Sequence, residues 1–268
     1  MKLTMLGTGH AEVTACYNAC FVLSEDEEFF LIDGGGGNQI LKILEDMNIP
    51  LARIHNIFVS HAHTDHVLGI VWVIRIISHL IHIGEYCGEL RIFCHAELAE
   101  GLKQICTVTI AEKFTAYLNN GIRFVVVADG DAQTVLGKRI EFFDTGSAQM
   151  RQFGFRIEYE PQKYLLFCGD VPLVPRNNTI AENCRWLLHE AFCRYSQRDM
   201  FGPYEKRHCT VKEACEIAQK VNASNVILFH TEDSCLQDRK QSYISEGISY
   251  YKGTIWVPDD RETISLTE

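Results

Sequence analysis

The chain has 268 residues, 47% of them hydrophobic, which is enough to bury a large globular core. Its formal net charge of -10 disfavours broad electrostatic attraction to nucleic acid or to an anionic membrane surface. The 11 cysteines are odd in number and include no Cys-x-x-Cys pair, so they carry no zinc-finger or thioredoxin-like signature and read mostly as small core residues in a reducing compartment.

Short apolar runs rich in β-branched and aromatic residues predict strands at 2–6, 20–23, 29–32, 57–59, 90–94, 123–127, 139–143, 154–159, 164–167, 186–189 and 225–229. The first run lacks the longer apolar core and the cleavage site of a signal peptide. It leads into Gly7-Thr8-Gly9, read as a tight turn because a third glycine, a lysine and a following helix are all missing. Ile40, Leu41, Ile43, Leu44 and Met47 have helical spacing and predict a helix over 38–48. Further helices are expected at 64–81, 96–105 and 211–221, the last capped by Thr210 with Glu213 three residues on. The most hydrophobic stretch, 67–83, carries Arg75, His79 and His82 and reads as a buried helix, not a membrane span. No Pro/Ser-rich linker, charge run or fixed repeat interrupts the chain. One domain over 1–268 is therefore expected, cytoplasmic and not in a membrane. The pattern suits two mostly antiparallel sheets packed face to face under helices, an α/β or α+β fold.

His61, His63, Asp65 and His66 follow directly on the strand 57–59. On an extended segment two residues apart, His61 and His63 project to the same side, while Asp65 and His66 open the next helix. Imidazoles with one carboxylate are good ligands for zinc and similar divalent metals.

This His-x-His-x-Asp-His cluster resembles the signature of the metallo-β-lactamase superfamily. The ordered segments Leu31-Ile32-Asp33-Gly34-Gly35, Cys168-Gly169-Asp170 and His230 are similar to its further motifs. His189-Glu190-Ala191-Phe192 resembles the His-Glu-Ala-Thr motif of ribonuclease Z-like proteins, and His208-Cys209-Thr210 resembles their His-Ser-Thr motif. The resemblance implies a four-layer αββα sandwich and a metal-dependent hydrolase that uses a metal-activated hydroxide. It implies up to two ions of zinc, manganese or iron. His61 and His63 would serve the first ion, Asp65, His66 and His230 the second, with Asp170 bridging. Asp65, Glu190 and His208 would be catalytic, the last two acting on the leaving oxygen of a phosphodiester.

Two departures qualify that expectation. The family's third histidine should fall near Gly146, where the chain reads Asp144-Thr145-Gly146-Ser147 and offers no imidazole. Asp144 is the candidate substitute; alternatively water or substrate fills the gap, or only the second site is occupied, and a weaker first ion is expected. Asp170 lies only 24 positions after Gly146, too close for the arm with which ribonuclease Z grips tRNA. The expected substrate is accordingly a small molecule or short phosphodiester, without support for tRNA binding, and a homodimer is compatible. The alternatives are a carbon-ester hydrolase (lactonase or thioesterase) and a catalytically degenerate binding protein. The glycines 34–37 are expected to let the backbone pass close to the metal loops. His10, His79, His82 and His95 lack ligand-like spacing and are expected to be structural or surface groups.

Overall fold

In the computed structural model, which describes residues 1–267, the chain opens with an antiparallel meander of β1 (Lys2–Gly7), β2 (Cys20–Glu25) and β3 (Glu28–Ile32). From β3 the sheet continues in parallel through β4 (Ile54–Phe58), β5 (Leu90–Cys94) and β6 (Ile122–Val126). Parallel neighbours need crossover connections, and helices supply them. α1 (Gln39–Asp46) leads into β4, α2 (Thr64–His82) into β5, and α3 (Ala96–Thr109) with α4 (Glu112–Thr115) into β6. The late strand β14 (Thr263–Ser265) pairs with β1, giving the order β14-β1-β2-β3-β4-β5-β6. This sheet with its helices forms one compact unit, Met1–Gly7, Tyr17–Ala128 and the segment from Asp260.

The second unit, Thr8–Cys16 and Asp129–Asp259, repeats the plan. β7 (Ala132–Val135), β8 (Lys138–Asp144), β9 (Phe153–Glu160) and β10 (Lys163–Phe167) form a meander. β11 (Trp186–Glu190), β12 (Asn225–Phe229) and β13 (Thr254–Trp256) then add in parallel. Their crossovers hold α5 (Asn178–Ala181), α6 (Arg198–Phe201), α7 (Val211–Lys220) and α8 (Leu236–Gly247). Thr210 and Glu213 make the expected capping box on α7.

Each sheet is thus antiparallel in one half and parallel in the other, which corrects the expectation of mostly antiparallel sheets. The long crossovers of the parallel halves are the predicted helices themselves. The sequence pattern misses β7, β13 and β14, three or four residues each, the four-residue helices α4, α5 and α6, and α8. Of the twelve residues in α8 the buried ones are Arg239, Tyr243 and Gly247, so no apolar stripe announces it.

By length and composition α2 could cross a membrane. Its stripe of Val67, Ile70, Val73, Ile74 and Ile77 instead belongs to the core of the first unit, with Leu31, Ile57 and Leu90. The glycines after β3 allow the close approach read from the sequence. Gly34 N–H donates to His66 O and Gly69 N–H to Gly35 O, both at 2.9 Å. A Cβ on Gly69 would lie 1.8 Å from the Gly34 oxygen, so any side chain there would push α2 off this loop.

Candidate metal centre

In the first unit the site grows from the ends of β3 and β4. β4 stops at Phe58, and the chain stays extended to His63, which opens α2. His61 Nε2 lies 2.8 Å from His63 Nδ1, so the pair does converge as their spacing requires. Asp65 and His66 occupy the first turn of α2, with His66 Nε2 at 3.3 Å from Asp65 Oδ2. The His61 and His66 rings sit 4.1 Å apart.

Asp33, at the end of β3, organises this group. It is buried, with φ of 55°, a left-handed backbone rarely taken by a residue with a side chain. Its Oδ1 accepts from Ser60 N–H (2.8 Å), and its Oδ2 accepts from Ser60 Oγ (2.7 Å) and His66 Nδ1 (2.8 Å). With its hydroxyl proton given to Asp33, Ser60 Oγ can only accept from His61 Nδ1 at 2.9 Å. One carboxylate therefore fixes the tautomers of two histidines. In each the proton sits on Nδ1, so that Nε2 carries the lone pair with which an imidazole binds a metal. Imidazole nitrogens set in this way, beside the Asp65 carboxylate, are donor types that suit a divalent metal. In the sequence Asp33 stands out only as part of a strand-end motif; its hold on Ser60 and His66 comes from the pairing of β3 with β4.

In the second unit Asp170 follows β10, Glu190 ends β11, and His230 follows β12 with φ of 58°. Ligand atoms of Asp170, His208 and His230 lie within 4.8 Å of one another. His230 Nε2 is 3.5 Å from Asp170 Oδ2. The Gln152 amide donates to Asp170 Oδ1, a contact that nothing in the sequence announces. Arg239, buried, donates to Thr8 Oγ1 (2.9 Å) and Thr231 Oγ1 (2.8 Å), clamping the turn that carries His230.

Glu190 is fully buried. Its Oε1 accepts from Cys209 N–H at 2.6 Å, and its Oε2 faces His208 Nδ1 at 3.8 Å. Burial pushes the carboxyl well above its usual range. Burial, then the neighbouring His230, lowers His208 to about 4. Two buried groups that each resist charge are at odds with a glutamate that keeps the histidine protonated at rest. Burial favours the neutral imidazole, and an incoming anion would favour its charged form.

Position 146 is occupied differently from the family pattern. Gly146 has φ of 79°, and a Cβ on it would meet the Arg176 guanidinium at 3.0 Å. The Asp144 carboxylate accepts from Gly146 N–H (2.7 Å) and from Arg176 Nη2 (2.8 Å). Asp144 is therefore engaged by an arginine, and a histidine introduced at 146 would have to displace that arginine.

His189 buttresses the Asp170 loop, donating through Nδ1 to Glu190 O (2.8 Å) and accepting Leu173 N–H at Nε2 (3.1 Å). Burial depresses it from the ordinary value of 6.5 to about 4. The unfolded chain therefore takes up this proton first as pH falls. Stability should drop between pH 6.5 and about 4 and level off below, with ~2 kcal/mol lost by pH 5. Urea unfolding at pH 7 and pH 5 measures this loss, which should shrink in His189→Gln; an equal loss in that variant would assign it to other groups.

Two mixed α/β sheets and these donor sets define a metal-dependent hydrolase of the metallo-β-lactamase superfamily, on the ribonuclease Z-like side read from the sequence. A family model described as Anti-Pycsar protein Apyc1 matches residues 1–248, and the chain belongs to that family. Among relatives, a ribonuclease Z of Methanococcus maripaludis (strain C7) is 44% identical over 282 residues, covering 86% of this chain and 87% of the relative. The metallo-β-lactamase fold protein YhfI of Bacillus subtilis has a TM-score of 0.79 at 16% identity, covering 98% of both chains. The short form of human tRNase Z has a TM-score of 0.74 at 19% identity, covering 99% of both. The chain binds a divalent metal, as its donors and these relatives support.

Proposed function

We propose that the chain hydrolyses a phosphodiester bond in a small molecule or short substrate. The observation that carries this reading is His208, set beside Asp170 and His230 with the buried Glu190 behind it. In the first unit His61, His63, Asp65 and His66 would offer metal ligands, and in the second Asp170 and His230 would do so; zinc, manganese or iron suits these donors. When bound, the metal activates a water and draws charge from the phosphate oxygens. Asp65 orients that water. The substrate's anion favours the charged form of His208. As the water oxygen bonds to phosphorus, releasing its proton to solvent, and the bond to the leaving oxygen breaks, His208 passes its proton to that oxygen and regains one from solvent. Glu190, through its contact with Cys209 N–H, keeps the imidazole aimed.

The missing imidazole at 146 and the guanidinium beside it support a lopsided centre with a weaker first ion. No tRNA-gripping arm is expected in the short segment before Asp170, and a homodimer remains compatible with the reading. The test uses bis(p-nitrophenyl) phosphate after chelation and re-addition of zinc or manganese. Turnover should be lost with chelation and return with metal, with fewer than two ions tightly held per chain. Failure to release p-nitrophenolate with any metal, alongside hydrolysis of a lactone or thioester, would replace this reading with a carbon-ester hydrolase. Two equally tight ions would overturn the lopsided centre.

A further inference from the structure

We propose that Phe192, backed by His10, is a positioning residue that fixes the plane of the His208 imidazole by ring stacking. This rests on the reading of His208 as the group that protonates the leaving oxygen. The contact between Glu190 and His208, at 3.8 Å, is too long to be a hydrogen bond, and the ring's hydrogen bond to the Asp170 backbone fixes one nitrogen but not the plane. Phe192 supplies a restraint on the plane. Its ring lies 5.2 Å from that of His208 with 21° between the planes, an offset stack.

Phe192 is itself held from every side. It is buried, its N–H donates to Cys209 O (2.9 Å), and its carbonyl accepts from Glu232 N–H (2.8 Å) and the Tyr243 hydroxyl (3.2 Å). Its ring meets His10 at 4.3 Å and 35°, and Lys206 Nζ sits 4.9 Å from its centroid. Lys206 pairs with Glu12 (3.4 Å), whose own N–H donates to His10 Nδ1 (3.2 Å). That bond fixes the neutral His10 ring with its proton on Nε2. The rings of His10, Phe192, His208 and His230 so form one series, the last pair 4.9 Å apart. The position of Phe192 is the one at which the His-Glu-Ala-Thr motif has threonine, whose hydroxyl could not stack. His10, expected to be a structural or surface group, is a buried one whose ring packs behind Phe192.

The test compares phosphodiesters with p-nitrophenolate and phenolate leaving groups, using the zinc-loaded full chain. A poor leaving group depends on the proton; a good one depends on it little. Phe192→Leu should lower kcat about tenfold on the phenolate ester, the upper range of what one aromatic pair contributes, with KM and the p-nitrophenolate rate nearly unchanged. Phe192→Tyr should restore it. Independently of turnover, the His208 ring protons should lose their ring-current shift in the NMR spectrum of Phe192→Leu and keep it in Phe192→Tyr. His208→Ala separates the two claims. If it shows leaving-group dependence and Phe192→Leu does not, the stack has no positioning role. If His208→Ala shows none, the assignment of His208 as the acid has failed instead. Should Phe192→Leu not fold, His10→Ala removes the backing ring while keeping Phe192 and should show a smaller loss of the same kind; wild-type behaviour there would overturn the part given to His10.

Discussion

Replacing Asp33 with alanine is expected to weaken metal binding by roughly 10–100-fold, although Asp33 is not assigned as a ligand. The carboxylate receives Ser60 N–H, Ser60 Oγ and His66 Nδ1, and through Ser60 it also sets the proton of His61. Without it, His66 and His61 are free to place a proton on Nε2, which removes the lone pair a metal needs. Buried donors would also lose their acceptor, at a cost of about 1–3 kcal/mol each where water cannot replace it. Asp33→Asn should fall between wild type and alanine, since an amide oxygen can still accept one of these bonds but brings no charge. Competition with a chromogenic chelator measures the affinity, and urea unfolding of the metal-free chain measures the stability. Wild-type zinc affinity in Asp33→Ala would mean that the tautomers are set by the metal alone.

The contrast between Asp33 and His61 shows what a sequence can reveal about such a site. His61, His63, Asp65 and His66 were legible because four side chains of metal-binding type fall within six residues behind an apolar strand. Asp33 reaches its partners only because β3 and β4 are parallel neighbours with Ile32 opposite Phe58, a pairing that spacing along the chain does not encode. Gln152 and His10 lie further still from pattern. Each is a single polar residue brought to its partner by sheet register or by the clamp that Arg239 places on Thr8 and Thr231. The fold was legible to a similar depth. Apolar periodicity identified the long strands and helices, whereas the parallel or antiparallel sense of each pairing followed only from the crossovers. α8 escaped because a helix with few buried residues leaves little apolar signal.

His208→Ala should lower kcat by roughly 10²–10⁴-fold on a phosphodiester with a poor leaving group, and far less on bis(p-nitrophenyl) phosphate. The difference comes from the proton. p-Nitrophenolate departs as a stable anion, whereas an alkoxide or phenolate must be protonated as the bond breaks. A purely structural loss would slow both substrates alike, so the ratio of the two rates is the diagnostic quantity. Metal content should be kept in this variant, since His208 is not among the assigned ligands even though it lies beside Asp170 and His230. Equal loss on both esters together with loss of metal would reassign His208 as a ligand that takes the place of the imidazole missing at 146. Glu190→Gln provides the complementary measurement. Glutamine keeps an acceptor for Cys209 N–H and has the shape of the neutral acid that burial favours. Its loss should therefore be much smaller than that of Glu190→Ala, which leaves the buried Cys209 N–H without its partner and His208 without the group that faces it. If Glu190→Gln is as damaging as alanine, the negative charge itself does the work, and the carboxyl must be ionised in the loaded enzyme despite its burial.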